Sequence, residues 1–390
     1  MKIFKLKDIS EFIRNGVTIK QDISSKEGIP ITRIETISKG TIDFNKLGYA
    51  NIFKIEKYKE WLLKKGDILI SHINSEKHLG KSAIYLDNNY DIIHGMNLLC
   101  IRAIDKKVFP EYLQLFFKTN QYKKQIKKIT KKSVNQASFS VNDFKEILIT
   151  VPDLNIQEKI IKKIKVLEKI LENNKLKLNH LSELTKSLFT RMFGDIKSND
   201  KNWKIYKFSE KLKISSGGTP SKANKIYWEN GTISWIGSNM CNDEIITKND
   251  GKFITEEGLK NSSAKIYKMN TVIVALVGAT IGKTGLLKFE TSTNQNIAAL
   301  EIKNMDYSPE FLFFLLQNLY YKFTKLGGDT FKMANLSFIK NLPLISPPIE
   351  LQNKFAERIE KIEKLKFEIE KSIEESQKLY NSLISKYFDN

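Results

Sequence analysis

The chain has little of what builds disulfide frameworks, metal centres or catalytic triads. Its 390 residues include only two cysteines, Cys100 and Cys241, and four histidines, His72, His78, His94 and His180. The cysteines match no metal-ligand or redox spacing, and the histidines have no partner spacing for zinc or for a triad. The histidines are accordingly read as surface or groove residues. No apolar run approaches the roughly 20 residues of a membrane span. The segment Met1-Lys-Ile-Phe-Lys-Leu-Lys-Asp8 holds no apolar stretch of signal-peptide length. These absences lead us to expect a reduced, soluble, cytoplasmic protein with no membrane contact. Acidic residues are also in deficit: 44 Asp and Glu face 64 Lys and Arg, a formal charge of +20. That excess favours a polyanionic partner through long-range attraction and counterion release. Lys, Ile and Asn are abundant throughout, as AT-biased coding makes them, so charge alone does not establish nucleic-acid binding.

What the chain does have is an internal repeat. Gln157–Phe193 and Gln352–Phe388 are one segment written twice without a gap, 195 residues apart, half the chain length. A fixed internal period sets the architecture before any local motif does. The repeat reaches back into the preceding blocks. Lys2-Ile-Phe-Lys-Leu6 reappears as Lys204-Ile-Tyr-Lys-Phe208, and Leu62–Ile70 parallels Ile266–Val274. Gly80-Lys81 falls opposite Gly282-Lys283, and Pro110-Glu-Tyr-Leu opposite Pro309-Glu-Phe-Leu. A proline followed by glutamate suits the first turn of a helix.

Beyond Pro152 the pattern is helical. Ile160, Ile164, Leu167, Leu171, Asn174, Leu178, Leu181, Thr185, Leu188 and Met192 step by four and three, the spacing of a coiled-coil seam. Their partners are Phe355, Ile359, Ile362, Lys366, Ile369, Ile373, Ser376, Tyr380, Leu383 and Tyr387, with Leu184 and Leu379 widening the stripes. Over Gln157–Phe193 such a helix is about 54 Å long. The polar members of the seam fix register. The predicted fold is α+β: two similar, β-rich globular domains separated by two long antiparallel coiled-coil helices, related by a pseudo-twofold. The expected boundaries are 1–152 and 197–347 for the globular blocks, and 153–196 and 348–390 for the helices.

These residues resemble the specificity subunit of type I restriction–modification systems over nearly the whole chain. The second half carries the fuller signature: Ser216-Gly-Gly-Thr-Pro-Ser221, Ser234-Trp-Ile-Gly-Ser238, Ile254–Leu259, Val277-Gly-Ala-Thr-Ile-Gly-Lys283 and Thr293-Asn-Gln-Asn296. Leu342–Gln352 then leads into the final helix. The first half lacks the Gly-Gly-Thr-Pro string and sets only Met96-Asn97 opposite Gln295-Asn296, but keeps Ile147–Gln157. The resemblance implies that each block is a target-recognition domain reading one half of a split, asymmetric sequence in double-stranded DNA. It implies that the helices space the blocks and dock two methyltransferase subunits, with motor–nuclease restriction subunits joining the larger complex. S-adenosylmethionine then belongs to the methyltransferase partner, and this chain binds no cofactor or metal.

The chemistry-bearing motifs point the same way. Gly278–Thr284 imitates a phosphate-binding loop but is one residue short between its glycines, so a tight turn between strands is expected instead. Ser346-Pro-Pro-Ile349 lacks the groups flanking the prolines of a methyltransferase base pocket. Pro110-Glu111 with Asp143-Phe-Lys145 faintly suggests a nuclease site, but Phe338 stands at the repeat position of Asp143. The chain is therefore read as non-catalytic.

DNA-contact residues are chosen by loop position. In the first half they are Lys81 and the loop residues Lys131, Lys132, Asn135 and Gln136, which end the run Lys118–Lys132 of seven lysines and no acid. In the second they are Ser216, Gly217, Gly218, Thr219, Ser221, Lys222, Trp235, Ser238, Asn239, Thr280, Lys283, Thr330 and Lys332. Lysines hold phosphates while Asn and Gln pair with base edges. Trp228 and Trp235 suit a core equally well. Two rival readings stand beside this one: a self-contained methyltransferase or nuclease, and a scaffold for methyltransferase subunits that reads no DNA.

Overall fold

Pro110 and Pro309 each occupy the first turn of a helix, Pro110–Phe116 and Pro309–Asn318, where the missing N–H has no intrahelical acceptor to lose. The computed structural model describes residues 2–20, 27–87, 90–134, 136–326 and 333–389. It divides into two compact units, Met1–Lys175 with Lys371–Asn390, and Leu176–Glu370. Each unit thus takes in a piece of both long helices, Leu154–Phe193 and Ile349–Ile384.

In unit one the strands Ser10–Asn15, Leu98–Ala103, Ile68–Ser71 and Ser82–Ile84 form a four-stranded antiparallel sheet in that spatial order. Lys2–Lys5 pairs with Leu148–Val151 in a separate ribbon. The core gathers Ile68, Ile70, Leu99 and Ile101 from the sheet with Tyr112, Leu113 and Phe116 from the helix above it. Apolar side chains on alternate strand residues meet a helix stripe there, as the two periods require.

Unit two repeats this frame. Leu212–Ser216, Ile297–Ile302, Val272–Ala275 and Thr284–Leu287 take the same order, extended by the parallel strand Glu244–Ile246. Ile205–Lys207 pairs with Pro343–Ile345. A second sheet orders Phe253–Ile254, Ile233–Ile236, Thr291–Thr293 and Ile266–Tyr267. Its counterpart in unit one survives as isolated bridges: Ile31 with Gly48, Ile31 parallel to Ile93, and Leu62 with Ile93. The pairings and their directions are the same, so one plan underlies both units.

The helix seam is buried as its spacing predicts. In unit one Ile160, Ile164, Leu167 and Leu171 are buried, and Ile373 and Leu383 are half-buried. In unit two Phe355, Ile359 and Ile362 are buried, while Leu178, Leu181, Leu188 and Ile369 are half-buried. Within unit one the Asn174 amide donates to Ser372 at 3.1 Å and the Tyr380 hydroxyl meets Glu168 at 3.4 Å. Within unit two Phe189 and Phe193 pack on Phe355 with ring centroids 5.5 and 5.3 Å apart. In each unit the later part of one helix lies along the earlier part of the other, an antiparallel pairing. Two residues depart from expectation. Leu184 and Leu379 do not widen the seam: each is about half exposed (51% and 50%).

Each long helix starts on a buried glutamine. Gln157 donates to the carbonyls of Pro152 and Lys107 at 2.8 and 3.1 Å and accepts from the Phe109 amide at 2.9 Å. Gln352 donates to those of Pro347 and Asp306 at 2.9 and 3.2 Å and accepts from the Ser308 amide at 2.9 Å. Both are fully buried and fully satisfied, the condition for an amide to sit in a core. They clamp the helix start to the loop entering the Pro110 and Pro309 helices.

His72 and His94 are buried at 4% and 2% exposure, not surface or groove residues. Burial lowers both to a pKa of about 4, so both are neutral at pH 7. The His94 backbone passes close to the glycine after Asn15, and its Nε2 lies 2.8 Å from the Leu98 carbonyl. The patterning gave no sign of this because an isolated histidine carries no periodicity.

Candidate nucleic-acid interface

The signature strings of the second half meet in space. After the strand Leu212–Ser216, Gly217 passes so close to the Thr293 strand end that a Cβ on it would lie 2.1 Å from the Thr293 carbonyl oxygen. Only glycine allows that approach. The Gly218 amide then donates to the same carbonyl at 2.8 Å. The Thr219 hydroxyl donates to Gln295 Oε1 at 2.5 Å. Trp235 donates its indole N–H to the Gly218 carbonyl at 3.0 Å and packs edge-on against Trp228, 5.2 Å between centroids. Trp228 in turn donates to the Ser221 carbonyl at 3.1 Å.

Trp235 is therefore buried (6% exposed) and holds the Gly-Gly-Thr-Pro loop from beneath, with its one donor spent on the backbone. It belongs to the support of the surface. Trp235 also lines an open cavity of about 670 Å³ with Lys222, Ser238, Asn239, Lys225, Lys252, Phe253 and Asn294. Ser221 and Lys222 are exposed, Ser216 and Thr219 half-buried, and Gly217 and Gly218 buried.

Thr280 and Lys283 are not part of that cavity. They lie on the tight turn between Val272–Ala275 and Thr284–Leu287, where Gly278 and Gly282 take φ of 77° and 76°. This is the glycine turn expected in place of a phosphate loop. Lys283 pairs with Asp243 Oδ2 at 2.5 Å, which raises its pKa. Its ammonium lies 5.5 Å from the Tyr320 ring centre.

In unit one, Lys81 and Lys132 come together. With Lys77, Lys123 and Lys127 they rim a cavity of about 380 Å³ that also includes Phe117, Tyr122 and Ile126. Glu76 partly offsets this charge through a 2.9 Å pair with Lys132. Lys123, Lys124, Lys127 and Lys128 form the exposed face of the helix Asn120–Ile129. Lys131 and Gln136 are exposed, and the Gln136 carbonyl accepts from the Ser133 amide at 2.8 Å. Asn135, Thr330 and Lys332 lie outside the described residues.

The alternative chemistries find no support in these positions. Asp143 accepts a 2.7 Å bond from Ser140, the residue capping its own short helix. Both cysteines are buried, and burial pushes the Cys241 thiol up to about 12 and Cys100 well above its ordinary value. Thiols so shifted are poor nucleophiles.

Fold and surfaces together define a duplicated recognition protein, one frame built twice beneath unlike, lysine-bearing surfaces. The chain belongs to the family described as the type I restriction modification DNA specificity domain, which matches residues 1–183 and again 200–378. It is a DNA-sequence-recognition subunit and not an enzyme in its own right. The putative type I restriction enzyme MjaX specificity subunit of Methanocaldococcus jannaschii is 30% identical over 385 residues, covering 93% of this chain and 87% of that protein. The MjaIX specificity subunit of the same organism is 24% identical over 301 residues, covering 72% and 68%. Among solved structures, the type I restriction–modification S subunit from M. genitalium shares the fold, with a TM-score of 0.65, 14% identity, and coverage of 99% and 96%.

Proposed function

We propose that this chain reads a split, asymmetric sequence in double-stranded DNA, one half-site per globular block, and directs partner subunits to it. Blocks 1–152 and 197–347 are the readers, and segments 153–196 and 348–390 the spacer helices. The observation that carries this reading is a single hydrogen-bonded frame built twice with different exposed residues. Two unlike readers on one chain select two unlike half-sites, and half-site spacing follows from where each reader meets its groove.

Lys81, Lys131 and Lys132 in the first block, and Lys222 in the second, hold phosphates. Ser238 and Asn239 line the second cavity and, with Ser216 and Ser221 of the neighbouring loop, approach base edges, and Gln136 does so in the first block. Lys283 reaches phosphate only by leaving Asp243. Two methyltransferase subunits dock on the long helices and bring S-adenosylmethionine, and restriction subunits join them in the cytoplasm of a bacterial or archaeal cell.

Methylome sequencing of cells with and without this gene tests the reading. The expected result is loss of one two-part methylation motif. An unchanged methylome in cells that express the partner subunits would contradict it, as would methyl transfer to DNA by the pure chain.

A further inference from the structure

The two units contain one small device in duplicate, and it identifies residues that no loop-position argument had chosen. In unit two the chain leaves Leu212–Ser216, passes Gly217, binds the Thr293 carbonyl through the Gly218 amide at 2.8 Å, and presents Thr219 to Gln295. In unit one it leaves Ser10–Asn15, passes Gly16, binds the His94 carbonyl through the Val17 amide at 2.9 Å, and presents Thr18 to Met96. A Cβ on Gly16 would lie 2.2 Å from the Gly95 carbonyl oxygen, the same crowding as at Gly217. The Thr18 hydroxyl lies 2.9 Å from Met96 Sδ, as that of Thr219 lies 2.5 Å from Gln295 Oε1. Met96 and Gln295 are both exposed, each two residues before the strand that pairs with the one ending at the glycine.

A backbone approach that excludes every side chain but hydrogen has been kept twice, and each time it aims a threonine at one exposed residue. The two aimed residues differ in the property that separates base edges. A threonine fixing the orientation of a neighbour is a positioning residue; the neighbour is what meets solvent or ligand. Gln295, with one Oε1 lone pair engaged by Thr219, keeps the second lone pair and both Nε2 hydrogens, a set complementary to adenine N6 and N7. Met96 offers a thioether and methyl group, which suit the methyl group of thymine.

We propose that Gln295 and Met96 are equivalent specificity-determining residues, Gln295 reading an adenine in one half-site and Met96 a thymine in the other. This rests on the DNA-reading function proposed above and names the positions through which it acts.

The test uses the full chain with its methyltransferase partners. The methylation motif is compared between the unaltered protein, Gln295→Met, Gln295→Glu and Met96→Gln. Gln295→Met is expected to cut discrimination at one position of one half-site about ten- to a hundredfold, leaving the other half-site as it was. Gln295→Glu should move that position toward cytosine, whose N4 amino group a carboxylate accepts. Met96→Gln should change only the other half-site, toward adenine. Both residues are exposed, so melting temperatures should hold, and a variant that melts early is replaced by the Thr219→Val or Thr18→Val variant, which loosens the same residue from beneath. Unchanged base preference in folded variants, while the unaltered protein keeps a split motif, overturns this proposal alone. If the unaltered complex shows no sequence preference at all, the proposed function fails instead.

Discussion

Unit two completes a four-stranded second sheet where the described residues of unit one show bridges at Ile31, Leu62 and Ile93, yet these matched pairings run in the same directions. The difference teaches what duplication preserves. Backbone amides and carbonyls must find partners wherever water is excluded, so the connectivity persists. Side chains facing solvent have no such obligation, and there the halves part: Met96 stands at the position that Gln295 takes in the other half. The frame is constrained by hydrogen bonding and packing, and the surface is left to selectivity.

The sharpest way to break that equivalence is to delete matched helix-end aromatics. Phe193 touches Phe311 at 4.7 Å and Phe355 at 5.3 Å, and Phe388 touches Tyr112 at 4.8 Å and Phe116 at 6.5 Å. Phe193→Ala should destabilise unit two by about 3–5 kcal/mol. Phe388→Ala should cost unit one less, because it lies in a single π-helical turn, Ser385–Asp389, while Phe193 lies in a 40-residue α-helix. Denaturant melts with hydrogen exchange resolve which unit loosens, and loss of both units together would deny that each has its own core.

Acid should separate the units next. The folded-state pKa values of His72 and His94, about 4, lie below the ordinary 6.5. The unfolded chain therefore takes up protons first, so this stability is complete above pH 6.5 and is lost as pH falls toward about 4. Unit two has only the exposed His180. Amide exchange between pH 7 and 4 should show unit one opening first, and His94→Gln should remove part of that difference.

Substituting the paired glutamines should give matching, smaller effects. Gln157→Leu and Gln352→Leu each strand one amide and two carbonyls, for about 1–3 kcal/mol in all once water reaches the freed groups. Clearly unequal losses would show that the clamps are not equivalent. Smallest is Trp235→Phe, which removes the bond to the Gly218 carbonyl for about 0.5–1.5 kcal/mol. It should loosen residues 217–222 without altering unit one.

The sequence made much of the frame legible. Seam residues such as Ile164 and Ile359 are spaced at three and four, and that periodicity reports burial directly. Pro110 and Pro309 marked helix starts through a rule that depends on one residue. The surface was harder to read. Trp235 suited core and contact equally in the sequence, and its burial comes from the Trp228 and Gly218 contacts, which no local pattern shows. Thr18 and Gly16 carried no signal at all, because the matching string in the other half, Gly217-Gly218-Thr219, had become Gly16-Val17-Thr18 after a change in offset. Aligning the single glycine that ends each first strand would have found them. His94 and His72 were missed because burial of a lone polar residue follows from tertiary packing and not from pattern.

The central claim, two readers joined by helices that set the interval, is tested most directly by lengthening both long helices at matched seam positions by one heptad, which keeps the seam in phase. Seven residues add about 10.5 Å, close to three base pairs. The expected result is a methylation motif with both half-sites unchanged and the unread gap longer by about three base pairs. A motif whose specified bases change, or whose gap stays the same in a folded, active complex, would contradict it.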